Sequence, residues 1–439
     1  MNQLARQLLI LEPILILYLI YIFWFPDSNR VWSLALALPL LVLRWIAYGR
    51  FLSATPLNGF LLIFLTLALF NIFFAPYSRG NTTLTVPFSN TTFSVPWAWV
   101  MIGRPLLGMI IYFVLVEHIR HYGVKSSLVL TVLLGAIVAG LALVATQWNA
   151  KSIRLAFIID MLPEARDLSI APGGFNANEI AGAMAWLAPL TGALALYRWR
   201  PRILQAGMIV TFVALMLALF LGQSRLALGG VFVALTGIVI LLIRRGYKQW
   251  LAFAGLLLLA VAEGVLVFNI GAPPAQAERL ETRDEITVNR RLEMWEQAGR
   301  IMIDYPLTGV GMNMYRDARV RADYPVTTYE RRVLPHAHNE FFQIATDMGI
   351  PGLLVFIGIY GAAAYMVWQC WQSGNDAARI VGVATGAALL AHALYGLGDA
   401  VALWDRFAFV FWWVLGILGG QYVRLRQDNV SHEASVISN

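Results

Sequence analysis

The sequence predicts an all-α integral membrane protein with about 12 transmembrane helices. Three observations carry that reading. Hydrophobic residues make up 59% of the chain and charged residues only 13%, more apolar surface than a soluble domain can hide. Apolar stretches of about 18 to 22 residues recur along its length, each long enough to cross a hydrocarbon core of roughly 30 Å. Lys and Arg crowd into alternate loops, as they do where the loops on one side stay in the cytoplasm.

Taken in order, the predicted spans are Leu8 to Phe25, Val31 to Tyr48, Leu57 to Phe74, Trp97 to Glu117 and Val124 to Gln147, then Asn178 to Tyr197, Ile203 to Leu221, Leu226 to Ile243 and Leu251 to Ile270. Pro351 to Trp371, Arg379 to Gly398 and Trp404 to Tyr422 complete the set. The first run follows Arg6 and reads as a retained helix, because no small-x-small cleavage site follows Pro26. The basic loops hold Arg6, Arg44, Arg50, Arg120, Lys125, Arg198, Arg200, Arg202, Arg244, Arg245, Lys248, Arg379, Arg424 and Arg426. The opposite short loops hold half as many, so both termini are expected in the cytoplasm and the long segment from Gly271 to Gly349 outside. The expected organisation is 1–270 for helices one to nine, 271–349 for the outward segment, 350–425 for helices ten to twelve, and 426–439 for a disordered cytoplasmic tail.

Two outward loops carry structure of their own. Thr82 to Val95 alternates around Ser89-Asn90 and predicts a small polar hairpin on the membrane surface. In the long segment, Leu292, Trp295, Ala298, Gly299 and Met302 recur at helical spacing, which predicts an amphipathic helix over Val288 to Asp304, ended by Pro306. The only cysteine, Cys370, excludes an intramolecular disulfide and a thiolate cluster.

Chemistry points to the outward face. The net charge is +7, yet the only lysines are Lys125, Lys151 and Lys248, and the long segment holds Arg interleaved with slightly more carboxylates. That mixture favours specific anion pairing over a diffuse basic patch, and argues against nucleic acid as a partner. Arg225 follows Ser224 where an apolar helix begins, and a charge so close to hydrocarbon is costly. Arg291 opens the amphipathic helix. Two arginines on separate elements at one interface can clamp a diphosphate. His338, at the membrane boundary in Pro335-His336-Ala337-His338-Asn339-Glu340, is the candidate base, since imidazole accepts protons near neutral pH. His336, His338 and Glu340 offer a metal-binding alternative, without a convincingly spaced fourth ligand. A transporter is the alternative from another class; it would place Asp160, Glu179 or Glu263 along a midplane path.

At these residues the chain resembles the membrane O-antigen ligase family, within the superfamily that also holds O-antigen polymerases and protein O-oligosaccharyltransferases. His338-Asn339, nine residues, then Gly349 and Gly352 are similar to the family's ligase motif. Ser224-Arg225 resembles its Ser-Arg at an outer helix end. Arg291, Trp295, Pro306, Leu307, Gly309 and Gly311 resemble its Arg-x-x-x-Trp block leading into Pro-Leu-x-Gly-x-Gly. The resemblance implies a fold of the GT-C glycosyltransferase type in the bacterial inner membrane, with the active site on its periplasmic face. It implies an undecaprenyl-diphosphate-linked O-antigen as donor and the lipid A core oligosaccharide as acceptor. By the same resemblance His338 is the catalytic base with Asn339 orienting it, Arg225 and Arg291 bind the donor diphosphate, and the reaction uses no metal or other cofactor; Asp399 and Asp405, by their place near the last outer loop, are candidates to orient His338 or to bind sugar.

Overall fold

The computed structural model describes residues 2–23, 27–49, 52–85, 91–146, 148, 161–162, 167–168, 171–172, 174–244, 255, 274–326, 336–401 and 403–437. Its helices are α1 (Asn2–Leu8), α2 (Glu12–Phe23), α3 (Asp27–Tyr48), α4 (Leu57–Phe74), α5 (Trp97–Tyr122) and α6 (Val124–Ala145), then α7 (Ala177–Ala195), α8 (Arg202–Gly222) and α9 (Arg225–Arg244). After these come α10 (Pro274–Asp304), the short α11 (Ala318–Asp323), α12 (Glu340–Gln372), α13 (Asp376–Tyr395) and α14 (Phe409–Ile437). Strand β1 (Asn81–Thr85) pairs antiparallel with β2 (Thr92–Pro96), Thr82 opposite Val95, which is the expected hairpin. A second two-stranded ladder joins β3 (Asp167–Leu168) to β4 (Ala171–Pro172).

Among the described residues, seven helices are long and apolar enough to cross a membrane: α4, α5, α6, α8, α9, α12 and α13. Large apolar side chains such as Leu62, Phe73 and Phe74 on α4 and Val210 and Val213 on α8 stand exposed on their outer faces, a surface suited to lipid rather than water. The predicted span Leu251 to Ile270 lies outside the described residues apart from Gly255, as do the Ser89-Asn90 turn, Asp160 and Glu263.

Helix packing uses small residues for close approach. α14 lies along α5, where Tyr112, Leu115 and Ile119 fill the space over Gly416, Gly419 and Gly420. α13 packs on α7, α9 and α12. Three buried threonine hydroxyls are satisfied within their own helices: Thr131 donates to the Ser127 carbonyl, Thr191 to that of Leu187 and Thr385 to that of Val381. At one end of α5 buried charges are paired, Arg44 with Glu12 at 2.8 Å and Arg120 with Glu117 at 3.4 Å. At its other end a smaller core forms around Tyr77, Met294, Ala298, Ile301, Val310, Met314, Tyr315 and Ala337, a cap over the starts of α5 and α12.

Several elements differ from expectation. The first span is two helices, α1 and α2, joined by a 3-10 turn at Leu9–Leu11. The amphipathic helix begins at Pro274, not Val288, because Pro is well placed in a first helical turn and the polar residues after it are good helix formers. The last helix starts at Phe409, five residues after the expected Trp404, whose indole is drawn instead into a hydrogen bond with Asp347 at 2.6 Å. That helix also continues to Ile437, through the tail expected to be disordered beyond Arg426; no Gly or Pro interrupts residues 421–437.

Candidate functional site

The site forms where three chain segments meet at the capped end of the bundle: the middle of α10, the turn before α12, and the loop between α13 and α14. Two glycine-bearing blocks build its floor. Gly309, at φ 60°, and Gly349, at φ 73°, lie in the left-handed region, where a side chain is strained. A Cβ on Gly349 would strike the backbone of Pro306 and Leu307, and one on Gly309 the backbone of Thr346 and Asp347. The contact is locked by two backbone hydrogen bonds, Val310 N to the Thr346 carbonyl and Ile350 N to the Pro306 carbonyl, both 2.7 Å. Gly349 therefore breaks α12 while Pro351 restarts it, and the Pro306-to-Gly311 block fills the break. Asn71, buried on α4, bonds the backbone of Thr308, Met312 and Asp347 and ties the blocks to the bundle.

Asn339 caps α12: its Oδ1 accepts from Phe342 N at 3.0 Å while its Nδ2 donates to the Leu397 carbonyl at 2.9 Å. Glu340 N donates to the Gly396 carbonyl at 2.8 Å. These two bonds staple the loop after α13 against the start of α12, which brings Asp399 beside His338. His338 itself sits at φ 48°, a conformation that costs a non-glycine residue of order 1 kcal/mol and persists only when its surroundings fix it. Here the Trp295 indole holds the His338 carbonyl at 3.2 Å, and His338 N bonds His336 Nδ1 at 3.2 Å.

At the centre, His338 Nδ1 lies 3.0 Å from Asp399 Oδ1, and Arg291 reaches Asp399 Oδ2 at 3.5 Å. Asp399 is buried, and its Oδ1 also accepts from Ala400 N at 3.0 Å. Burial would raise its carboxyl, but His338, His336 and Arg291 outweigh burial and hold it well below the usual carboxylate range. His336 approaches the same oxygen at 3.8 Å. Burial and the neighbouring His338 push His336 down to about 4, so it is neutral at physiological pH.

The structure thus brings together His338, Asp399, Arg291 and Asn339. Arg225 opens α9 with an exposed side chain; the next residue, Leu226, packs on Gly398 beside Asp399, so the start of α9 borders the site. Asp405 pairs instead with Arg316 at 3.2 Å, and Glu179 with Arg406 at 2.9 Å. Glu340 turns away from the histidines toward His392, 2.8 Å from its Nε2, which removes it from the metal-binding alternative. Asp399 takes the place given to Glu340, with one donor atom from each of His336, His338 and Asp399 within 4.8 Å of the others.

Residues 209–357 match the O-antigen ligase family. The match supports the family read from the motifs, and runs from within α8 through Ser224-Arg225, Arg291 and the glycine blocks to the second half of α12. Asp399 lies beyond it. No curated protein matches the chain.

Sequence reasoning missed the Asn71 tie, the Glu340–His392 pair and the network in which Gln343 accepts from Ala337 N and donates to Asp347, itself held by Trp404. The available signal was polar residues inside apolar helices, which are costly in lipid unless bonded; which partner each takes is a matter of tertiary contact.

Proposed function

We propose that this chain is an O-antigen ligase that transfers O-antigen polysaccharide from undecaprenyl diphosphate to a sugar hydroxyl of the lipid A core oligosaccharide, with inversion and without a metal, on the periplasmic face of the inner membrane. What supports the enzyme class is the family match over 209–357, whose members are glycosyltransferase-type enzymes. The single observation that carries the mechanism is the 3.0 Å contact of His338 Nδ1 with Asp399.

A carboxylate held ionised accepts a hydrogen bond from Nδ1–H and so fixes the tautomer, which leaves the Nε2 lone pair free. The acceptor hydroxyl gives its proton to Nε2 as its oxygen bonds the anomeric carbon, and the bond from that carbon to the diphosphate oxygen breaks on the opposite face. Negative charge collects on the departing undecaprenyl diphosphate. Arg291, partly exposed and 3.5 Å from Asp399, and Arg225 at the start of α9 are the groups to stabilise it, since guanidinium forks suit paired phosphate oxygens. Asn339 supports the base by holding the Asp399 loop against α12.

Reconstitution of the purified protein with lipid-linked glycan tests the reading, with either lipid A core or an acceptor protein offered. Glycosylated lipid A core is the expected product. Extension of the lipid-linked glycan alone would identify a polymerase, and glycosylated protein an O-oligosaccharyltransferase.

A further inference from the structure

We propose that His336, His338 and Asp399 form a binding site for a divalent transition-metal ion of the zinc class, and that an ion held there stops glycosyl transfer rather than assisting it. His336 Nε2 and His338 Nδ1 converge on one carboxylate oxygen, at 3.8 and 3.0 Å, and the two rings lie 4.4 Å apart. Zinc bonds of roughly 2.0 to 2.2 Å at tetrahedral angles separate neighbouring ligand atoms by roughly 3.3 to 3.5 Å. The observed spacings bracket that value, so small side-chain rotations complete the set once the His336 ring proton moves to Nδ1 and the hydrogen bond that Nδ1 accepts from His338 N is released. Asp399 is 1% exposed; Oδ1, on which the imidazoles converge, also accepts from Ala400 N, while Oδ2 accepts no hydrogen bond and has only the Arg291 guanidinium, 3.5 Å away, to balance it, so the carboxylate keeps lone pairs for a second cation. Two imidazoles and one carboxylate suit zinc, copper or nickel and not magnesium or calcium, which take oxygen ligands. Three protein ligands leave a fourth position for water or substrate.

The inhibitory half rests on the reading of His338 as the base. A neutral imidazole carries one ring proton. In the metal-free site that proton is on Nδ1, which donates a hydrogen bond to Asp399. When a metal takes the Nδ1 lone pair, the proton moves to Nε2, and the nitrogen that should accept the proton of the acceptor hydroxyl has none of its own lone pair left to offer. The same ion competes with Arg291 for Asp399.

Metal-stripped protein in lipid nanodiscs, titrated with Zn²⁺ against a fluorescent zinc chelator, tests binding; the visible absorption of Co²⁺ bound in its place reports nitrogen and oxygen ligands. One high-affinity site per chain is expected, at least about tenfold weaker in His336→Gln, since even supporting groups around a metal contribute roughly 10- to 100-fold. In parallel, Zn²⁺ should stop transfer by the parent protein, chelation should restore it, and His336→Gln should need at least about tenfold more Zn²⁺ for half-inhibition. Unchanged unfolding temperature certifies the variant; if it does not fold, a parent protein that shows neither a Co²⁺ band nor zinc uptake overturns the site by itself. Affinity undiminished in folded His336→Gln would also overturn it, and zinc bound without slowing transfer would overturn the inhibition. Because the titration needs no glycan, binding is decided even if metal-free protein transfers nothing, an outcome that would strike the functional reading instead.

Discussion

Replacing Asp399 by Asn tests the shared carboxylate directly. At an effective dielectric of about 20, an imidazolium and a carboxylate about 3 Å apart attract by about 5 kcal/mol. His338 Nδ1 and Asp399 Oδ1 are at that separation, so this attraction becomes available as the ring takes the acceptor proton. Arg291 at 3.5 Å already neutralises part of the carboxylate charge, and the Asn amide can still receive a hydrogen bond, so roughly 3 kcal/mol should be lost, about 100-fold in rate. The loss belongs to the step in which the hydroxyl is deprotonated, so single-turnover transfer should fall while binding of the lipid-linked donor changes little. Both are measured on the same purified variant in nanodiscs, with its unfolding temperature as the control for folding. A folded Asp399→Asn protein that transfers within threefold of the parent rate would refute the argument that Asp399 orients and stabilises the base.

Three further outcomes follow from the same geometry. Arg225→Lys and Arg291→Lys keep the charge and lose the planar fork, so donor affinity or single-turnover rate should fall by at least about tenfold in each, read by donor titration; full rescue by Lys would exclude bidentate diphosphate contacts. Gly309→Ala places a methyl on the Thr346 and Asp347 backbone at a left-handed φ and should lower stability by about 1 to 3 kcal/mol in thermal unfolding, whereas Gly299→Ala, where a Cβ meets open space, should not. Because folding pulls His336 down to about 4 from its ordinary 6.5, the unfolded chain binds the extra proton in between; stability should fall as pH drops from 6.5 toward 4, by up to about 1.4 kcal/mol per pH unit, and be unaffected above 6.5. His336→Gln should flatten that slope in the unfolding midpoint.

Much of the bundle was legible because lipid imposes a simple rule: a run of apolar residues must be a helix of a set length. α4, α5, α6, α8, α9 and α13 are recognisable from that rule with small changes at their ends. The break in α12 was not, since Gly349-Ile350-Pro351 reads as the edge of a span, and only its contact with Pro306 and Leu307 makes it an interior kink. The site was half legible. His338, Arg225 and Arg291 stand out because the order of the motifs joins them on one expected face of the membrane. Asp399 was one of two carboxylates in the last outer loop, and nothing in the spacing separates it from Asp405. The choice is made by hydrogen bonds from Asn339 and Glu340 to the carbonyls of Leu397 and Gly396, 58 and 56 residues along the chain, a distance at which sequence periodicity carries no information.

The most direct test of the account is donor binding and single-turnover transfer by His338→Ala, given lipid-diphosphate-linked glycan and lipid A core. Proton acceptance matters only as the acceptor attacks, so donor binding should stay within a few-fold of the parent while transfer falls by roughly 10²- to 10⁴-fold. Transfer at close to the parent rate by the folded variant would contradict the account, since it would mean that the proton goes to another group and that His338 is a structural residue beside Asp399.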